Sequence, residues 1–253
     1  MPPNVSIHFL LAMAAAMEVA YGSTGKRLPA HALHLLHALS CKMGVAGNAS
    51  LGSYLILILL DAGKLCLARS LFDRLLHPNN KAWNALVIAY VQSGKLKLAL
   101  DLYHQMQEHS IPAFVFTFIA LLKSCAKLKD LARGRDIHKD AERMGLVERD
   151  LFLGNTVIDM YAKCGFLSEA ERVFDKLPIR DVVSWTTLGV GYVNHKHYSK
   201  ALNYFKQMQF EGVPPNAVTF VFILKSCGRL GALNMGLATH MEIDRKGIPV
   251  KDL

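Results

Sequence analysis

Apolar side chains recur along the chain at intervals of three and four residues, the spacing that places them on one face of a helix. One pattern sets a small residue, two adjacent bulky residues and a further apolar residue at positions i, i+3, i+4 and i+7. It occurs as Ala68/Leu71/Phe72/Leu75, Ala99/Leu102/Tyr103/Met106, Ala170/Val173/Phe174/Leu177 and Ala201/Tyr204/Phe205/Met208. Each copy predicts an amphipathic helix that packs its apolar stripe against a neighbour.

A second apolar stripe lies upstream of the first, as at Trp83, Leu86 and Tyr90, and a glycine separates the two stripes. Glycine favours the left-handed turn that ends a helix, and proline cannot continue one. The glycines are Gly63, Gly94 and Gly165, and the prolines that follow the second stripes are Pro78, Pro112, Pro178 and Pro214. The spacing therefore predicts helix–turn–helix units, and the β-like run 54–60 falls within a first helix.

The chain is also internally duplicated. Residues 80–128 resemble residues 182–230 at an offset of 102, so that Trp83 corresponds to Trp185. The run Leu122–Cys125 recurs unchanged as Leu224–Cys227. Two-helix units cannot bury their apolar faces alone, but stacked neighbours bury a continuous core. We therefore predict an all-α protein, an α-solenoid, in place of the one or two domains that 253 residues suggest.

Composition adds a charge preference to this picture. The chain is 52% hydrophobic, which excludes a disordered tail, and its 29 Lys and Arg exceed its 20 Asp and Glu to give a net charge of +9. This balance favours an anionic partner, and nucleic acid, an acidic membrane surface and an acidic protein all stay open. The apolar run 7–17 is too short to span a bilayer and lacks the basic flank of a signal peptide, so it is interpreted as a first helix.

The five cysteines form no CxxC pair, which argues against a zinc knuckle and against a disulfide framework. We interpret them as free, buried thiols in a reducing compartment. They are Cys41, Cys66, Cys125, Cys164 and Cys227.

Three segments resemble the short, standard and long motifs of plant pentatricopeptide repeat proteins, in the PLS subclass that mixes these repeats. Asn155–Gly165 followed by Ala170–Asp175 resembles the short motif, and Val182–Trp185 with Gly212–Asn216 resembles the standard one. Thr219-Phe220 with Leu224–Cys227 resembles the long motif. Units of 31, 35 and 36 residues argue against tetratricopeptide repeats, whose period is about 34. The resemblance implies a right-handed superhelix of helix–turn–helix repeats.

The resemblance also implies a register for the repeats. The last repeat of this register ends at residue 252, one residue before the chain ends, and the family's C-terminal E and DYW domains do not follow it. We therefore expect a truncated product. The implied segments are an N-terminal extension 1–12, a degenerate long repeat 13–48, a short repeat 49–79, a standard repeat 80–114, a long repeat 115–150, a short repeat 151–181, a standard repeat 182–216 and a long repeat 217–252.

Members of this family bind single-stranded RNA, one base per repeat. In the family the fifth and last residues of a repeat contact the base. Carried over, these pairs are Ser53/Asn79, Asn84/Phe114, Asn155/Asp181 and Thr186/Asn216. An Asn/Asp pair resembles a uracil reader, and Thr/Asn and Ser/Asn pairs resemble adenine readers. Phe114 departs from the pattern, and Asn84 alone favours a pyrimidine.

The long repeats present Ile119/Asp150 and Val221/Asp252, and the resemblance implies that such pairs often read no base. The resulting RNA is A-pyrimidine-any-U-A-any, from 5′ to 3′. Apolar second residues of the repeats are candidates for sandwiching the bases: Phe116, Phe152, Val183 and Val218. The alternative for all these residues is helix capping and packing, because Asn and Thr near helix starts are ordinary caps.

We predict that the chain is not an enzyme and that it holds neither a metal nor a cofactor. His240-Met-Glu242 matches the H-x-E element of zinc deaminases, but no CxxC follows it, and His240 repeats His138 at the offset of 102. Two further histidine pairs, His34/His37 and His195/His197, have no third ligand at a suitable spacing. The glycine-containing segment 22–26 lacks the spacing of a phosphate-binding loop.

The functional hypothesis is sequence-specific binding of single-stranded RNA in RNA editing or processing, with any deaminase or other editing factor acting in trans. By family analogy the compartment is the mitochondrion or the chloroplast, although no clear transit peptide is present, and neither membrane nor DNA is an expected partner. One alternative is a helical-repeat scaffold that binds a peptide or protein. Another is a truncated, non-functional remnant.

Overall fold

Residues 49–247 are described in the computed structural model of the chain, and this part contains thirteen α-helices and no strand, which confirms the predicted all-α class. The predictions for residues 1–48 (including the run 7–17, the segment 22–26, His34, His37 and Cys41) and for Asp252 lie outside these residues. The helices are α1 Ala49–Asp61, α2 Leu65–Phe72, α3 Asn80–Gln92, α4 Leu96–Glu108, α5 Val115–Leu128, α6 Leu131–Arg143, α7 Leu146–Arg149, α8 Leu151–Cys164, α9 Leu167–Lys176, α10 Val182–Asn194, α11 Tyr198–Phe210, α12 Ala217–Leu230 and α13 Leu233–Lys246.

The chain divides into two compact units, and the boundary follows Ala120 inside α5. In the first unit α1 pairs with α2 and α3 pairs with α4, and α3 packs on both helices of the preceding pair. In the second unit α8/α9, α10/α11 and α12/α13 form antiparallel pairs, and α8, α10 and α12 contact one another in succession. Each unit is therefore built by stacking two-helix hairpins, as the apolar stripes predicted.

Aromatic residues of the two stripes meet in the core of each unit. In the first unit the rings of Phe72 and Trp83 pack edge to face with centroids 4.6 Å apart. In the second unit Phe174 and Trp185, which follow them by 102 residues, pack edge to face at 4.7 Å. The duplication seen in the sequence is therefore a duplication of core packing.

The turns between paired helices contain residues in the left-handed region. Gly63, Gly94 and Gly165 have φ values of +72°, +72° and +87°, which confirms them as turn glycines. Lys196 occupies the position that corresponds to Gly94 and has a φ of +64°. An L side chain in this conformation costs about 1–2 kcal/mol, whereas glycine adopts it freely.

Replacing Lys196 by glycine is therefore expected to raise the free energy of unfolding by about 0.5–1 kcal/mol, because relief of backbone strain exceeds the extra entropy of an unfolded glycine. Urea denaturation measures the change. The reverse substitution, Gly94→Lys, provides the matched control and is expected to lower stability by a similar amount. A destabilised Lys196→Gly protein would show that the side chain matters more than the backbone conformation.

The longest helices of residues 49–247 have 14 residues, as in α8 and α12. A helix needs about 20 apolar residues to cross a bilayer. None of the described helices has the length and apolarity to do so.

The described cysteines are all free, but their surroundings differ. Cys125 and Cys227 are buried, Cys164 is half-buried and Cys66 is exposed, so the prediction of a buried thiol is wrong for Cys66. Burial raises the pKa of Cys125 to about 12, which keeps this thiol protonated and unreactive near neutral pH.

Candidate functional site

The last residue of each predicted pair precedes a first helix, and three of them cap that helix. Asn79 Oδ1 accepts a hydrogen bond from the Ala82 backbone N–H at 2.9 Å. Asp181 and Asn216 likewise accept from the backbone N–H groups of Ser184 and Thr219, three residues ahead. Their Oδ1 atoms also accept from the hydroxyls of these two residues, at 3.0 and 2.9 Å. Helix capping, the alternative interpretation, therefore describes part of what these residues do.

The fifth residues of the repeats, Ser53, Asn84, Asn155 and Thr186, are all buried, with exposed fractions of 0–6%. Three of them bond to the last residue of the same repeat. Asn79 N–H donates to Ser53 Oγ at 3.0 Å, Phe114 N–H donates to Asn84 Oδ1 at 2.7 Å, and Asn155 Nδ2 donates to Asp181 Oδ1 at 3.3 Å. The fold thus brings together residues 26–30 positions apart in sequence.

Thr186 and Asn216 differ from the other pairs, because no hydrogen bond joins their side chains within the described part of the chain. The Thr186 hydroxyl donates to the Val182 carbonyl at 2.8 Å, within its own helix. The hydroxyl oxygen keeps its lone pairs as acceptors. Asn216 uses Oδ1 for capping, so its Nδ2 group is the part of the amide that remains available.

Asn155 has a buried polar atom without a partner. Its Oδ1 atom is enclosed and accepts no hydrogen bond from any described residue, while Nδ2 is held by Asp181. An unsatisfied buried acceptor costs roughly 1–3 kcal/mol. A ligand that donates a hydrogen bond to this oxygen would recover that cost.

Exposed apolar side chains stand at the second position of successive first helices. Phe116, Phe152, Val183 and Val218 are 73%, 55%, 45% and 50% exposed, respectively. Lys81 holds this position on α3 and is also exposed, so the apolar series begins at α5. The Lys123 ammonium nitrogen lies 4.7 Å from the centroid of the Phe152 ring. Phe152 thus offers a flat, apolar face next to a cationic group.

The two repeats predicted to be long present no comparable polar pair. Ile119 is 6% exposed and Val221 is 38% exposed, and neither side chain has a hydrogen-bonding group. Asp150 caps α8, where its Oδ1 atom accepts from the Leu153 backbone N–H at 2.8 Å.

A basic cavity lies in the second unit, among residues of α5, α8 and α10. Its volume is about 610 Å³. Four lysines are among its lining residues, and the carboxylate of Asp159 lies 2.8 Å from the Lys163 ammonium group. The sequence alone does not indicate that these lysines meet, although Lys127 and Lys163 both fall at the thirteenth position of successive predicted repeats. The basic residues of the lining are Lys123, Lys127, Lys129, Lys163 and His195.

The H-x-E match makes ordinary helix-surface pairs. His240 Nδ1 lies 3.1 Å from a carboxylate oxygen of Asp244, and Glu242 forms an ion pair with Lys246 at 3.0 Å, each partner being four residues ahead. Among residues 49–247 no group of three His, Cys, Asp or Glu side chains is placed to hold a metal ion. His195 directs its Nε2 atom at the Ala162 carbonyl oxygen, 2.8 Å away.

His138, the counterpart of His240, has a different environment. It is buried, with Nδ1 3.0 Å from the Tyr161 hydroxyl oxygen, and burial lowers the pKa of this imidazole. Its role is packing between α6 and α8.

Comparison with known sequences matches the same segments. The PPR repeat family matches residues 78–127 and 180–229, which are again 102 residues apart, and a PPR repeat matches residues 155–182. The chain is 32% identical over 206 residues to the Arabidopsis thaliana mitochondrial pentatricopeptide repeat-containing protein At3g09040, covering 81% of the chain and 20% of that protein. It is 33% identical over 218 residues to the chloroplastic protein At5g52850 of the same species, covering 86% and 24%. The chain thus spans about a fifth to a quarter of the length of these relatives.

A likeness to solved structures shows the same fold. The crystal structure of the pentatricopeptide repeat protein PPR10, a maize protein, in complex with an 18-nt psaJ RNA element matches with a TM-score of 0.65 and 20% identity. The match covers 98% of this chain and 42% of PPR10. Paired helices, duplicated packing and matched repeats agree, and the chain belongs to the PPR repeat family.

Proposed function

We propose that this protein binds single-stranded RNA at the starts of its first helices, in a register of short, standard and long repeats. One observation carries the proposal: at two repeats the last residue and the buried fifth residue are joined by a hydrogen bond, and an exposed apolar residue holds the second position of the helix that follows. The complex of PPR10 with an RNA element supports it, because this chain shares that fold.

Apolar side chains contact the two faces of each base in this proposal. The first helices α8, α10 and α12 contact one another in succession. Their second residues, Phe152, Val183 and Val218, are exposed. A base between Phe152 and Val183 meets the Asn155/Asp181 pair with its edge, and a base between Val183 and Val218 meets the Thr186/Asn216 pair.

The Asn155/Asp181 pair selects uracil in this proposal. Uracil presents an N3–H donor, which the unpartnered Asn155 Oδ1 atom accepts. Cytosine has an acceptor at N3, so two acceptors would face each other. Asp181 holds the amide with its nitrogen towards the carboxylate, which directs Oδ1 away from Asp181. The oxygen is enclosed in the free protein, so base insertion must displace a neighbouring side chain.

The Thr186/Asn216 pair selects adenine. The adenine N6 amino group donates to the lone pairs of Thr186, and its N1 atom accepts from Asn216 Nδ2. Guanine presents the opposite pattern, an acceptor at O6 and a donor at N1. The Ser53/Asn79 pair offers a hydroxyl and an amide again, and it selects adenine without flanking apolar side chains.

The basic cavity of the second unit binds the phosphate backbone of the RNA. Phosphate contacts supply affinity without sequence information, and the base pairs supply the selection. The lysines lie beside α8 and α10, the two helices that hold the uracil and adenine sites.

We extend the proposal to the cell by analogy with the relatives. Relatives are named mitochondrial and chloroplastic, so the protein acts on organellar transcripts in one of these compartments. It serves editing or processing as a PLS-type RNA-binding protein, and a partner in trans supplies any chemistry.

Selection from a randomised RNA pool tests the function. We expect recovered RNAs to contain uracil followed by adenine for the second unit, preceded by an adenine three positions before that uracil. Thr186→Asn is expected to reduce the adenine preference about tenfold, the effect of losing one hydrogen bond to the base edge. Gln209→Asn, an exposed change on α11, is the control and is expected to leave selection unchanged.

Two results would contradict the proposal. An adenine preference unaffected by Thr186→Asn would show that this pair does not read a base. Capture of peptides without retention of RNA would favour the helical-repeat scaffold instead.

A further inference from the structure

The Asn84 side chain has no hydrogen-bonding capacity left for a base. Its Nδ2 group donates to the Asn80 carbonyl at 2.8 Å and to the Pro112 carbonyl at 3.2 Å. Its Oδ1 atom accepts from the Phe114 backbone N–H and from the Thr117 hydroxyl, both at 2.7 Å. A primary amide has two donor hydrogens and two acceptor lone pairs, so all four are occupied.

Asn155 holds the corresponding position in a different state. Its amide has one hydrogen bond, to Asp181, and its Oδ1 atom has no partner among the described residues. The two asparagines are buried to a similar degree, at 2% and 6% exposure. Burial therefore does not distinguish them, and the difference lies in their hydrogen-bond partners.

The cause is the residue that precedes the next helix. We call the place where one repeat ends and the next first helix begins a junction. At the two later junctions Oδ1 of Asp181 or Asn216 accepts from the hydroxyl of Ser184 or Thr219, three residues ahead. Phe114 has no side-chain acceptor. The Thr117 hydroxyl and the Phe114 N–H therefore donate to Asn84, which holds the start of α5 from 30 residues away in sequence.

We infer that the repeat 80–114 holds its base by stacking on Phe114, without reading the base edge, and that Asn84 is a structural residue there. The Phe114 ring is 40% exposed, and the Phe116 ring two residues later is 73% exposed. Aromatic rings bind every base by its flat face and so tolerate any sequence. This inference rests on the proposed RNA binding, and it replaces the pyrimidine expected from Asn84 alone by a position without preference.

Phe114→Asp tests the inference directly. An aspartate at this position accepts from Thr117 as Asp181 does from Ser184, and so releases the Asn84 oxygen. In selection from a randomised pool, the wild-type protein is expected to show no preference at the base of this repeat. Phe114→Asp is expected to introduce a uracil preference of about tenfold there, equivalent to one recovered edge contact.

Phe114→Leu separates the effect of ring stacking from the effect of the hydrogen bonds to Asn84. It keeps an apolar side chain without an acceptor, so Asn84 stays occupied and the position stays without preference. Loss of the ring is expected to weaken overall RNA affinity about fivefold to tenfold.

The bases selected at the other junctions show whether only this inference fails or the proposed RNA binding fails as well. If wild-type protein selects uracil and adenine in the second unit but also a pyrimidine at the repeat 80–114, the inference is overturned and the proposed function stands. The inference also fails if Phe114→Asp folds, binds RNA and acquires no uracil preference. If no junction selects a base, the proposed function itself fails.

Discussion

Replacing Lys127 and Lys163 together by glutamate is expected to weaken RNA binding by about tenfold to a hundredfold. Both side chains line the basic cavity, Lys127 on α5 and Lys163 on α8. Each phosphate contact to a single strand contributes about 0.7 to the slope of log affinity against log salt, so losing two contacts reduces that slope by roughly 1.4. Fluorescence anisotropy with a labelled RNA across a salt series measures both quantities.

The base preference is expected to survive this double substitution, because phosphate contacts carry no sequence information. Lys97→Glu with Lys206→Glu is the matched control. These lysines are exposed on the second helices α4 and α11, and their reversal changes the net charge by the same amount. An equal loss of affinity in the control would show that the cavity has no special role and that the overall charge attracts the RNA.

Replacing Phe174 by alanine is expected to lower the free energy of unfolding by about 3–5 kcal/mol. Phe174 is 1% exposed and packs edge to face on both Trp185 and Tyr204. The Arg180 guanidinium carbon also lies 5.0 Å from its ring centroid. Truncation leaves a cavity where α9 meets α10, which the rigid aromatic neighbours cannot fill. Urea denaturation followed by circular dichroism measures the loss.

Phe210→Ala is the matched control for this effect. Phe210 also lies on a second helix, α11, but its side chain is 93% exposed. Its replacement is expected to change stability by no more than about 0.5 kcal/mol. A similar loss in both proteins would mean that the edge-to-face cluster does not stabilise the second unit beyond what any phenylalanine contributes.

The helices and their pairing could be predicted from the sequence because they depend on local spacing. Ala170, Val173, Phe174 and Leu177 lie on one stripe whatever the neighbouring repeat contains, and all four are buried. The turn glycines were equally predictable, since few other residues favour a positive φ. Lys196 was not, because its conformation is imposed by the helices on either side of it.

The candidate site was predictable only in part. The pairs Ser53/Asn79 and Asn155/Asp181 could be named from spacing and family resemblance, and the fold places each pair in hydrogen-bond contact. The occupied state of Asn84 could not, because it depends on whether residue 114, thirty positions away, has a side-chain acceptor. The basic cavity could not be predicted, because its lysines lie on separate helices that only folding brings together.

The sequence by itself determined the class of the fold and the two-helix units, because these follow from the periodicity of apolar positions, which is a local property of the chain. The polar pairs at the helix starts came from the family resemblance, and three of the four are joined by a hydrogen bond. Only the tertiary structure decided which polar groups are already satisfied and which remain available. Asn84 and Asn155 are the same residue at the same repeat position, and only the partners brought by folding leave one amide fully bonded and the other with an open acceptor.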